Sequence, residues 1–129
     1  MLRFGFLPSD FNPMVLMLGE AEDLHALAGL LRGFARAPTE IRLETLGFCA
    51  AANEARVMLG TGSTTGLHRL PEPGYVFAWT LDPARARRCA DLIDALTQAD
   101  RPSGSEVLED GTIALKVSRG EYTEDFLQP

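Results

Sequence analysis

The fold turns on one stretch, Tyr75-Val76-Phe77-Ala78-Trp79-Thr80-Leu81, followed directly by Asp82-Pro83. A run rich in aromatic and β-branched side chains, apolar on both faces, predicts an interior β-strand. Asp82 and Pro83 then write a helix start. Asp82 serves as N-cap, and Pro83 takes the first helical position, where its missing N–H costs nothing. The helix is expected to reach about Gln98, with Cys89, Leu92, Ile93 and Leu96 as its buried stripe and Arg87, Asp91, Asp94 and Gln98 on its wet side. Arg87 and Asp91 stand at i, i+4, the spacing of a surface ion pair. A helix covers one face of such a strand, so the other face asks for a second cover: a homodimer partner, or a sheet that curls onto itself.

Working outward toward the N-terminus, Leu2, Phe4 and Phe6 alternate with Arg3 and Gly5, the period of a half-buried strand, and Pro8-Ser9-Asp10 ends it. Met14 to Leu18 is short and continuously apolar and predicts a strand. From Glu20 to Ala37 the period changes: Leu24, Leu27, Leu31 and Phe34 recur at three and four residues, acids fill the first turn, Arg32 and Arg36 the last, and Pro38 stops the helix. Ile41 to Thr45 and Ala55 to Leu59 alternate again and predict a hairpin across residues 47–53. Gly60 to Gly66 is glycine-rich and reads as a flexible hairpin connection to a short strand, Leu67 to Leu70. On the C-terminal side, Glu106 to Leu108 and Ile113 to Val117 flank Asp110-Gly111, a hairpin turn signal.

The expected class is α+β in two layers: a largely antiparallel sheet of six to eight short strands with two amphipathic helices on one face. One domain, residues 1–129, is expected, with residues 119–129 as an acidic C-terminal tail.

Composition excludes several functions. The chain carries 18 acidic and 12 basic residues, net −6, which opposes nucleic acid and anionic lipid. Seven acids and three bases fall in the last 30 residues, so a basic protein partner is steered there. The longest early apolar run, Met14 to Leu18, is far below the roughly 20 residues that span a bilayer. Cys49 and Cys89 are set among apolar or alanine neighbours and read as buried free thiols; with no secretory signal pattern at the start, a cytoplasmic location is expected. No cofactor or metal is expected, because two histidines and two distant cysteines do not make a ligand set. Catalysis has no recognisable nucleophile motif either.

Two groups of residues remain as sites. The first is Glu121, Tyr122, Glu124 and Asp125, acids interleaved with an aromatic, which suit a docking surface for a basic protein partner. This makes a small acidic non-catalytic interaction domain, of inhibitor or immunity type, the leading expectation. The second is His68, Arg85 and Arg88, an anion site between the Gly60–Gly66 loop and the second helix, in which case the protein is a small-ligand binder or enzyme. A third reading is a structural homodimeric subunit.

Overall fold

The computed structural model describes residues 1–9, 12–100, 102–120 and 127. Among these the chain runs β1 (Leu2–Leu7), β2 (Met14–Leu18), α1 (Ala21–Arg36), β3 (Ile41–Arg42), β4 (Cys49–Ala51), β5 (Arg56–Gly60), β6 (Gly66–Arg69), β7 (Val76–Thr80), α2 (Pro83–Ala95), β8 (Gly104–Asp110) and β9 (Ala114–Arg119). A 3₁₀ turn, Leu43–Thr45, separates β3 from β4. No helix among the described residues is long and apolar enough to cross a membrane.

Both helices begin where the local chemistry directs. At α1, Asp23 reaches back so that its Oδ2 accepts the Glu20 backbone N–H at 3.0 Å. At α2, Asp82 Oδ1 accepts the Arg85 backbone N–H at 2.8 Å, with Pro83 at the first position. The expected surface pair of Arg87 with Asp91 gives way to a contact between helices: Arg32 of α1 holds Asp91 at 2.9 Å and Asp94 at 2.5 Å. The acidic stripe of α2 therefore faces α1, and the two helices lie side by side.

The α+β class and the two helices agree with the sequence. The sheet arrangement is richer than expected: the described residues form nine strands in two mixed sheets, one ordered β4-β1-β2-β9-β8 and the other β3-β5-β7-β6. Three neighbouring pairs are parallel, β1 with β4, β2 with β9 and β5 with β7. β3 and β5 do pair antiparallel, as the sequence led one to expect, but the segment between them and the Gly60–Gly66 loop each take a longer route than a local turn. Residues 47–53 do not simply turn between β3 and β5; Cys49–Ala51 leave to pair with β1 in the other sheet. The Gly60–Gly66 loop does not join neighbours, since β7 lies between β5 and β6 and pairs with both. The loop thus crosses the end of β7, where a Cβ on Gly62 would stand 3.1 Å from the Thr80 side chain.

One core joins the inner faces of both sheets to both helices. It contains Leu24, Leu27, Leu31 and Phe34 of α1, Ala86, Cys89 and Ile93 of α2, Phe4, Met17 and Val117 of one sheet, and Val57, Phe77 and Trp79 of the other. Phe6 bridges the sheets, its ring 5.0 Å from those of both Tyr75 and Phe77. On the far side of the five-stranded sheet, Leu16 and Leu18 are covered by Leu127, so that sheet is apolar on both faces. The outward face of β7 is partly covered within the chain. Phe77 and Trp79 face the core, while Val76, Ala78 and Thr80 face outward, and Val76 is buried beside Arg42, Arg56 and Leu70.

The turn into β5 is conformationally demanding. Asn53 and Glu54 both adopt positive φ, 43° and 57°, in the left-handed region that side chains other than Gly, Asn and Asp disfavour. Asn53 is fixed there by two bonds to β1: its Nδ2 donates to the Phe6 carbonyl at 2.9 Å and its Oδ1 accepts the Phe6 N–H at 3.3 Å. Its side-chain amide replaces a strand neighbour beyond the end of β4.

Candidate functional site

β8 pairs regularly with β9 from Gly104 to Val107, then shifts register between Val107 and Glu109. The shift is a β-bulge with Leu108 as the extra residue. Strict alternation would send Glu109 to the face opposite Leu108; the bulge turns both inward. Glu109 is consequently 5% exposed, with its carboxylate inside the molecule.

That carboxylate is satisfied from two directions. Trp79 Nε1–H donates to Oε2 at 3.0 Å from the core side. Arg85 Nη2 donates to Oε1 from the solvent side, pairing its guanidinium with the buried charge. A carboxylate taken out of water demands such partners, and two donors, one of them cationic, supply them. The Arg85 side chain is itself 42% exposed, and its Nε is buried with no hydrogen-bond partner among the described residues.

Above this network lies a cleft of about 250 Å³ between α2 and the edge strand β8. Arg85, Arg88, Cys89 and Leu92 line one wall, at helical spacings of three, four and seven, which is one face of α2. Val107, Leu108 and Asp110 line the other. Arg88 is exposed and has no ion-pair partner among the described residues. Burial, then the charge of Glu109, push the Cys89 thiol up to about 11, against the smaller pull of Arg85 and Arg88. Cys89 is thus held as a thiol at neutral pH.

The structure brings Arg85 and Arg88 together in this cleft and places His68 elsewhere. His68 pairs across the sheet with Ala78, whose side chain points away from the core, whereas Trp79, one residue on, points into it. The period of two therefore sets His68 and the Glu109 network on opposite faces of the four-stranded sheet. His68 Nε2 lies 3.3 Å from the Thr64 carbonyl oxygen, so it closes its own loop. Glu121, Tyr122, Glu124 and Asp125 lie outside the described residues.

Glu109 and Trp79 are the residues that sequence reading leaves out. Glu109 sits one position before the Asp110-Gly111 turn and looks like a solvent-facing acid, and a bulge carries no dependable mark in a single strand. Among the described residues no three His, Cys, Asp or Glu side chains gather as a metal site. A scan against protein-family models gives no match, and searches of curated proteins and of solved structures give none either.

Proposed function

We propose that this chain is a non-catalytic binding module that takes an anionic group in the α2–β8 cleft, between Arg85 and Arg88. The observation that carries the reading is Arg85 anchored on the buried Glu109, which is in turn held by the Trp79 indole. A guanidinium fixed in advance loses less freedom on binding than a free surface arginine and still presents its remaining N–H groups to the cleft. Arg88, one turn further along α2, supplies a second fork whose charge is unshared among the described residues.

The test is a thermal-shift panel of carboxylates, phosphates and nucleotides, because a ligand that binds only the folded state raises the unfolding midpoint. At a hundredfold excess over Kd the stabilisation is about 2.7 kcal/mol, roughly 10 °C for a chain of this size. A flat response across the panel, or a response unchanged in Arg88→Gln, overturns the reading.

A second reading is a protein-interaction domain that docks a basic partner on the acidic segment with Glu121, Tyr122, Glu124 and Asp125. What favours it is Leu127, 2% exposed and packed on Leu16 and Leu18, which ties the chain beyond that segment to the body of the protein. Capture of a stoichiometric basic protein at low salt, lost at high salt, supports it; no capture at low salt refutes it.

A further inference from the structure

We propose that the α2–β8 cleft is built for a monocarboxylic acid with a compact apolar body, and not for a phosphate. This inference rests on the cleft being the anion site and adds what the anion must be. Three observations converge on it.

The first is charge. Arg85 already shares its charge with Glu109, and Asp110 lines the same cleft, so the uncommitted positive charge is that of Arg88 alone. One guanidinium matches one carboxylate through two parallel N–H···O bonds, while a dianion meets Asp110 and Glu109 with no further cation to offset them.

The second is the missing amides. Helix N-termini hold phosphate through free backbone N–H groups. At α2 two of those groups are gone: Pro83 has no N–H, and that of Arg85 is donated to Asp82 Oδ1 at 2.8 Å. The helix start beneath the arginines is capped by a carboxylate and offers phosphate few free amides.

The third is the wall. Leu92, Leu108 and Val107 give the cleft an apolar side, and Val107 is 47% exposed, a large aliphatic group at the mouth that an apolar ligand body would cover. At about 250 Å³ the cleft has room for a small acid such as benzoate or hexanoate.

The experiment is an NMR titration of the full ¹⁵N-labelled chain with benzoate, hexanoate, acetate, inorganic phosphate and phenyl phosphate. The one tryptophan gives a single indole N–H signal, and Trp79 touches Glu109 directly, so that signal and the amides of residues 85–92 and 107–110 report the cleft. Benzoate and hexanoate are expected to shift these signals saturably, at least about tenfold more tightly than acetate and than either phosphate. Arg88→Gln should weaken both acids by about 10- to 100-fold with the unfolding midpoint unchanged, and Val107→Ser should bring them to the acetate level. Tighter binding of a phosphate at the same signals leaves the anion site standing and overturns this inference. Carboxylate binding indifferent to Arg88→Gln and Val107→Ser overturns it as well. No shift at the cleft with any probe removes the site and the inference together.

Discussion

Replacing Glu109 by leucine leaves the buried Trp79 indole N–H with no acceptor. The magnitude follows from the contacts. A hydrogen bond to a charged acceptor contributes about 1.5–3 kcal/mol, and the Trp79 bond, 3.0 Å long and inside the core, belongs to that class. The Arg85 pair adds at most about 1 kcal/mol, because its side chain is 42% exposed and turns to water when the carboxylate is gone. Against these losses stands the leucine, which contributes about 1–2 kcal/mol of burial and removes the cost of holding a charge out of water. The net expectation for Glu109→Leu is a destabilisation of about 1–2 kcal/mol. In a Trp79→Phe background the donor is already absent, and the same substitution should cost nothing or stabilise slightly. Urea unfolding of the four proteins, followed by far-UV circular dichroism so that loss of the tryptophan does not remove the signal, closes the cycle. The expected coupling is about 1.5–2 kcal/mol. A coupling below about 0.5 kcal/mol refutes the claim that the indole is what makes this carboxylate tolerable in the interior.

Three further outcomes are expected from the same structure. Asn53→Ala should cost about 2–3 kcal/mol in urea unfolding, since it removes both bonds to Phe6 and leaves alanine at a φ of 43°; Glu54→Gly, at 57°, should stabilise by about 0.5–1 kcal/mol in the same assay. Cys49 and Cys89 both have thiols pushed from 9.0 to about 11, by burial first and then by the charges of Asp23 and Glu109 respectively. The folded state therefore binds more protons than the unfolded state above pH 9, so the stability these thiols contribute is complete below that point and falls as pH rises toward about 11. Stability measured from pH 8 to 11 should decline over that window in the native chain and less in a Cys49→Ala, Cys89→Ala double variant.

The parts of the fold that could be read in the sequence are those set by neighbours along the chain. Asp82-Pro83 placed the start of α2, the three-and-four spacing of Leu24, Leu27 and Leu31 placed α1, and Asp110-Gly111 placed the last hairpin, because capping, periodicity and turn chemistry act within a few residues. What was not legible depends on distant partners. Ala50 and Ala51 carry no strand signal of their own and become β4 through pairing with Arg3 and Phe4. Met14–Leu18 and β9 were each readable as strands, but their parallel pairing was not, since parallel pairing leaves no local turn to recognise. At the site, the exposed half was legible: Arg85 and Arg88 could be read from the sequence as arginines on the second helix that suit an anion. The buried half was hidden, because one extra residue in β8 reverses which way Glu109 points.

The placement of β9 also dictates how the chain must assemble. Met14 lies beside Ala114, a hundred residues downstream, and β9 is in turn the neighbour of β8, so the centre of the five-stranded sheet is stitched from the two ends of the described chain. Closing a loop of that length costs on the order of 4 kcal/mol in chain entropy before the contacts repay it. On the ribosome, the β1–β2 hairpin waits with the β2 edge open until β9 has emerged, and chains arrested before Ala114 present that edge to one another.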